Sequence, residues 1–578
     1  MTDHHEGQRA QAAPAAYDVA ILGGGIAALT LALQIRQHNS AASIAVIERQ
    51  PHPVPEAAHK VGESTVEIAA HYLRDVLGLG EHLESQQLRK FGLRMFFSLG
   101  DNRDITRRVE LGHARLPPAG VGTYQLDRGR LENMLGAELP RRGISFLHGA
   151  KVQQVELRPE QETHLLRIAD EAGQEQQVAA RWLLDGSGRS SFLKRQLGLA
   201  KKVDHHANSA WFRLGHPIDV NDWSDDPAWH ARIREGRRQL STNHLMGDGY
   251  WVWIIPLASG STSIGIVADA EMHPFEGFNR FDRALEWLYA HEPQFAEIIE
   301  RHREQLQDFR VMKDYSYSCE QLYSTDRWCL IGEAAVALDP LYSPGGDLMA
   351  ISNGLVCDIV TRALRGEDVE DPVAIHNKLM LMMSESWLST YYRQYPLMGN
   401  AQIMVAKVIW DTAVYWAIPG LLYFHDQYVS LGDRPDMVLK LFHFSQLSEH
   451  VQKFFRDWHL IAQGDASDIF ISYYDFDFMA RLHIGMTAKL PQEELRAQFA
   501  KNVRFLEQLA GQLVSTVIAR YEEQPMAEPV REQIRRWKED AALLDLVAIY
   551  QADELTNPTQ SGWITLGQSY EQQQEIAG

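Results

Sequence analysis

The stretch YDVAILGGGIAALTLALQI (17–35) constrains the fold of this chain more than any other. DVAILG reads as a short buried strand. Gly23-Gly24-Gly25-Ile26-Ala27-Ala28 fits G-x-G-x-x-G/A, and a helix with Leu29, Ala32 and Leu33 turned inward follows. A second apolar strand, SIAVIE (43–48), ends at Glu48, 20 residues after Ala28. Each position has a physical use. Gly23 permits the tight turn, Gly25 lets the backbone approach a pyrophosphate, and Ala28 allows close helix–strand packing. The helix N-terminus meets the negative charge, and Glu48 accepts from a ribose 2′-OH. The pattern predicts a Rossmann-like dinucleotide-binding unit.

The chain has 578 residues, too many for one ordinary core, so two to four domains are expected. A formal net charge of −20 repels phosphate backbones and argues against nucleic-acid binding. The three cysteines (Cys319, Cys329, Cys357) form no C-x-x-C and no metal spacing, which suits a reducing, cytoplasmic setting. The polar N-terminus has no apolar signal region and reads as a disordered tail over 1–15, as does the extreme C-terminus, TNPTQSGWITLGQSYEQQQEIAG. The histidine pairs in DHHEG and VDHHAN lack carboxylates at metal-ligand spacing. VAKVIWDTAVYWAIPGLLYF (405–424) is long enough to span a bilayer, but Lys407, Asp411 and Pro419 make a span costly. It reads as a buried or substrate-facing helix.

Two further segments point to flavin, not nicotinamide, as the dinucleotide. RWLLDGSGRSSFLKRQLGL (181–199) is a strand into a Gly-rich turn around Asp185. The segment 326–360 runs from a strand through Gly332-Glu333 and Asp339-Pro340 to a Gly-rich helix start at Gly345–Gly346. A carboxylate after such a strand can bind ribityl hydroxyls, and the helix N-terminus can face the isoalloxazine carbonyls. The order of fingerprint, KVGES (60–64), DGSG, GE…DP and Gly-rich helix start resembles the FAD-dependent aromatic hydroxylase fold. Within that superfamily it is similar to the flavin-dependent halogenases, over about residues 16–365. Arg49, Glu63 and Ser64 complete the candidate cofactor set beside Gly23, Gly25, Ala28, Glu48, Asp185, Gly332, Glu333, Asp339, Pro344, Gly345 and Gly346.

YWVWIIPL (250–257) matches the W-x-W-x-I-P hairpin of those halogenases at Trp251, Trp253, Ile255 and Pro256. By alternation, Trp251, Trp253 and Ile255 share one face and Val252 and Ile254 the other. ASGS (258–261) reads as the turn and TSIGIVAD (262–269) as the return strand. Lys90-Phe91-Gly92 stands where the family carries its K-x-G lysine. The resemblance implies that Lys90 lies between flavin and substrate, with Trp251 and Trp253 as a barrier. The chemistry agrees: reduced flavin, O2 and halide yield hypohalous acid, and a lysine in low dielectric can hold it or take up the halogen. Three departures from the family stand out. Pro344 removes one backbone N–H from the stretch that binds halide. Tyr342 replaces the glutamate of the tryptophan halogenases, which disfavours free tryptophan as substrate. Glu333 replaces an aspartate.

The expected architecture is α/β. An FAD-binding domain of the aromatic-hydroxylase type (16–200 and 310–365) carries an inserted β-sheet substrate domain (201–309), and a mainly helical region (366–578) follows. That last region is rich in aromatics, as in SESWLSTYYRQYPL (384–397) and ISYYDFDFMARL (471–482), which suits a lid over an aromatic or apolar substrate. The expected activity is that of an FAD-dependent halogenase using FADH2, O2 and halide on an electron-rich, aromatic or carrier-tethered substrate. A flavin monooxygenase and a flavoprotein maturation factor acting on a partner protein are the alternatives. With one dinucleotide fingerprint, reduced flavin is expected from a separate reductase.

Overall fold

The computed structural model describes residues 14–56, 61–234, 237–462, 469–523 and 526–552. Most of the two terminal tails, the DHHEG pair and Lys60 lie outside these residues.

The fingerprint strand Ala15–Leu22 sits inside the first sheet. It pairs in parallel with Ile44–Glu48 on one side and Glu175–Asp185 on the other. Ser145–His148 and Trp328–Leu330 extend the sheet outward, again in parallel. Val19, Ala20 and Ile21 are fully buried, as a strand covered on both faces requires. The helix Ile26–His38 follows the glycines directly, and Pro344–Leu364 packs against it. Asn353 Nδ2 ties the two together, donating to Ala27 O (3.1 Å) and Thr30 Oγ1 (3.0 Å).

The second sheet also has eight strands, in the order Leu306–Met312, Ala207–Leu214, Thr262–Asp269, Tyr250–Pro256, Thr242–Gly247, Leu93–Phe97, Val109–Gly112 and Phe470–Ser472. The expected boundaries therefore need correction. Two strands come from within 16–200 and one from the C-terminal region, so no single insertion makes the sheet. Each of these short strands satisfies its backbone groups only at an edge already in place, and chain order does not restrict which edge that is.

The hairpin pairs Tyr250 with Ala268 through to Pro256 with Thr262. Its faces divide as the alternation predicts. Trp251, Trp253 and Ile255 join the core shared with the FAD domain, while Tyr250, Val252 and Ile254 join a second core with Phe212, Trp229 and Leu288.

Beyond residue 366 the chain is mainly helical, with long helices at Glu370–Ser389, Ala401–Tyr415, Pro435–His459 and Gln492–Glu522. The apolar segment 405–424 falls in Ala401–Tyr415, a π turn Trp416–Gly420 and Leu421–Phe424. Pro419 has no N–H to continue an α ladder, which accounts for the widened turn. No helix among the described residues is long and apolar enough to cross a membrane.

Candidate active site

The dinucleotide cradle forms at the C-terminal end of the first sheet. Gly23 has φ +99°, and a side chain there would collide with the Gly186 carbonyl. No other residue serves at that turn. Gly25 caps the helix, and a Cβ on it would meet nothing within 4 Å, which leaves open space before the first-turn amides. Ala28 is fully buried. Glu48 ends the second strand and accepts from the Gly24 N–H and, through Oε1, from the Gln50 N–H (2.7 Å). Arg49 beside it is exposed. A glycine turn, an open helix N-terminus and a strand-end carboxylate fit a dinucleotide, so these residues could hold FAD.

Other candidate cofactor residues turn out to be committed within the protein. Asp185 accepts from Ser187 N (3.0 Å) and Leu193 N (2.7 Å), which fixes the DGSG turn. Glu63 is buried against Arg213 (2.8 Å), which also holds Asp308. Asp339 Oδ2 accepts from Tyr395 (2.6 Å) and Tyr315 (2.8 Å) and meets His205 Nε2 at 2.8 Å. With Oδ1 taken by Leu341 N, its carboxylate is fully engaged. His205 of VDHHAN thus belongs to a buried polar network. Gly332 has φ +54°, and Glu333 after it is exposed, 3.4 Å from Arg189.

Lys90 ends the short strand Leu88–Lys90 and is 1 % exposed. Its Nζ donates to Ser64 Oγ (2.7 Å) and Thr65 O (2.8 Å). Burial lowers its pKa to about 7, against the opposing pull of Glu67 and Asp347. Ser64 also accepts from the Ser343 hydroxyl (3.0 Å). Ser343 caps the helix Pro344–Leu364, and both Tyr342 (φ 69°) and Ser343 (φ 61°) are left-handed. Two adjacent non-glycine residues in that region store strain, which the surrounding bonds must hold. Pro344 occupies the first helical position, where an N–H has no intrahelical partner in any case. Gly345 and Gly346 keep theirs.

A cavity of about 120 Å³ opens beside Lys90. Val66, Glu67, Tyr342, Pro344 and Asp347 line it from the FAD domain. The opposite wall is C-terminal: Trp387, Tyr391, Tyr415, Trp416 and Pro419, with Tyr473. The apolar stretch 405–424 is therefore a cavity wall. Trp251 and Trp253 are not among the lining residues. Trp251 Nε1 donates to Tyr395 OH (3.2 Å) and so backs the Asp339 network from within the core, while Trp253 Nε1 donates to Ser263 Oγ (3.2 Å).

Tyr342 donates to Asp411 Oδ2 (3.1 Å). Asp411 is in turn held by Lys407 (2.7 Å) and Gln452 (2.7 Å). Tyr342 thus reaches a carboxylate of the C-terminal region. Sequence reasoning missed Glu67 and Asp347, and met Asp411 only as a charge within the apolar segment 405–424. Asp347 accepts from Ala69 N (2.8 Å) and Tyr415 OH (2.6 Å), and burial raises its pKa to about 8. Glu67 Oε1 stands 2.7 Å from His483 Nε2. The only signal in the sequence was their place just after GES or SPGG, which separates them from no ordinary helix-start acid.

The family model described as "FAD binding domain" matches residues 16–348. The chain belongs to this family. The chain is also similar to the flavin-dependent halogenase chlA of Dictyostelium discoideum, 24 % identical over 70 % of each chain. It is 28 % identical to a 1H-pyrrole-2-carbonyl-[peptidyl-carrier protein] brominase of Pseudoalteromonas luteoviolacea, over 62 % of this chain and 80 % of the other. Among solved structures, an FAD-bound form of the halogenase PltM superposes with a TM-score of 0.60 at 16 % identity, covering 93 % of this chain and 96 % of that one. The chain is an FAD-dependent enzyme that is similar to flavin-dependent halogenases.

Proposed function

We propose that this enzyme halogenates an electron-rich aromatic ring held between Lys90 and the aromatic wall of the C-terminal helices. The observation that carries the reading is Lys90 itself. It is buried, lines an aromatic cavity, and is joined through Ser64 to the helix start at Ser343. Bound FAD, once reduced, supplies the two electrons that turn O2 and halide into hypohalous acid and water.

Gly23, Gly25, Ala28 and Glu48 would hold the dinucleotide. The amides of Gly345 and Gly346 would hold the halide; Pro344 suits the first helical position without disturbing the helix, but leaves the anion one first-turn donor fewer. The Lys90 nitrogen uses two of its three bonding positions on Ser64 and Thr65. The third meets hypohalous acid arriving from the flavin side. With a pKa near 7 a good part of Lys90 is neutral at physiological pH, and its lone pair can take the halogen and release water. Trp387, Tyr391 and Trp416 hold the acceptor ring flat-sided and exclude water.

A carrier-tethered ring suits this reading, since the Pseudoalteromonas relative is named for one. A separate reductase delivers reduced flavin, in keeping with the single dinucleotide fingerprint in the sequence.

The test supplies reduced FAD, O2 and bromide with an electron-rich acceptor. Brominated acceptor is the expected product. Hydrogen peroxide or hydroxylated acceptor, with bromide unused, overturns the halogenase reading in favour of a monooxygenase.

A further inference from the structure

Most polar groups around the cavity are already engaged. Asp347 is filled by Ala69 N–H and Tyr415 O–H, and Asp411 by Lys407, Gln452 and Tyr342. His113 differs. It follows the strand Val109–Gly112, is 4 % exposed and lines the same cavity as Lys90. Its Nδ1 is buried and has no hydrogen-bonding partner among the described residues. A buried, unpaired imidazole nitrogen is costly to keep, and a ligand group is one thing that satisfies it.

The site around the ring is built. Gly92 has φ +79°, and a Cβ on it would lie 2.6 Å from His113 Cδ2, so the imidazole rests on bare backbone two residues from Lys90. On its other side the ring meets Tyr473 (4.9 Å), Tyr474 (4.8 Å) and His483 (6.0 Å). Burial, helped by His483 and Arg94, holds His113 far below the usual imidazole range, so it stays neutral and can accept a hydrogen bond.

We propose that His113 selects the substrate, accepting a hydrogen bond from a ring hydroxyl or ring N–H, so that phenols and N–H heteroarenes are preferred over their methylated counterparts. This rests on the halogenase reading and adds the class of ring to it. The contact also serves the chemistry. Drawing on the O–H or N–H proton pushes electron density into the ring. The ring carbon then forms its bond to halogen as the nitrogen–halogen bond at Lys90 breaks, the C–H electron pair returns to the ring, and the released proton goes to the Lys90 nitrogen.

Binding can be measured without turnover, on the enzyme loaded with oxidised FAD and without halide or reductant. Quenching of tryptophan emission reports it, since Trp387 and Trp416 line the cavity. The probes are resorcinol against 1,3-dimethoxybenzene, and pyrrole against N-methylpyrrole, which separates the hydroxyl and N–H forms of the donor. At least one donor ring should bind about tenfold more tightly than its methylated partner. His113→Phe should bring that ratio to about one and leave the methylated ring bound as before. His113→Asn, whose amide reaches the Nδ1 position, should keep part of the preference. If His113→Phe does not load FAD, His113→Leu takes its place. Equal binding of both rings, no binding of any ring, or an unchanged ratio in the apolar variants would each overturn the proposal. A preserved ratio of affinities in an enzyme that brominates nothing would sink the halogenase reading and leave the donor site standing.

Discussion

Lys90 and Ser343 meet on one hydroxyl. Lys90 Nζ lies 2.7 Å from Ser64 Oγ, and Ser343 Oγ lies 3.0 Å from the same atom. The amine that lines the substrate cavity is thereby tied to the residue that starts the long helix of the FAD domain. Lys90→Met removes this link and the nucleophilic nitrogen together. Halogenation of the acceptor should fall about a hundredfold or more, while reduced-flavin oxidation continues and appears as hydrogen peroxide. Lys90→Arg should not restore activity, because a guanidinium stays charged and planar.

The pH profile follows from the same residue. Burial lowers the folded-state pKa of Lys90 to about 7, against 10.5 ordinarily. Raising the pH through about 7 uncovers the neutral amine, so the halogen-transfer rate should climb there and then level off. The unfolded chain keeps that proton up to about pH 10, so this lysine's contribution to stability also rises with pH from about 7 to about 10. A Lys90→Met rate profile that still rises near 7 would assign the titration to another group.

Lys407 is buried against Asp411 at 2.7 Å and also donates to Gln452 Oε1 (2.7 Å). Lys407→Met leaves Asp411 as an uncompensated buried charge. The folded state should lose about 3–5 kcal/mol, read as a fall in denaturation midpoint. Tyr342→Phe, which removes one bond and leaves the ion pair, should cost only about 1 kcal/mol.

Trp253 packs on Gly265, where any side chain would collide with its ring. Trp253→Ala should therefore act first on stability, by about 3–5 kcal/mol. Trp251→Phe keeps an aromatic ring but shrinks it and gives up the bond to Tyr395, so the variant should fold with a loss of about 1–3 kcal/mol. A Trp251→Phe enzyme of normal stability that spills free hypohalite would instead show that this face acts as a barrier.

Gly23→Ala places a methyl against the Gly186 carbonyl at φ +99°. The purified variant should lack bound flavin, seen as loss of absorbance near the flavin band. Full FAD occupancy would move the cofactor site elsewhere.

Local patterns settled much of this protein. The glycine fingerprint carries its own turn, helix and strand-end acid, and the W-x-W hairpin carries its own alternation. Both rest on neighbouring residues, so Leu22, Gly23 and Glu48, or Trp251 and Val252, fall where period and turn chemistry put them. Tertiary structure decided where polar groups spend their bonding capacity. Asp185, Glu63 and Asp339 are acids of the expected type at the expected places, but residues up to 150 positions away claim their oxygens. The cavity likewise joins Lys90 to Asp411 and Tyr473 across hundreds of residues. No local period encodes such meetings, because they depend on which buried groups satisfy one another once two layers have closed on a common core.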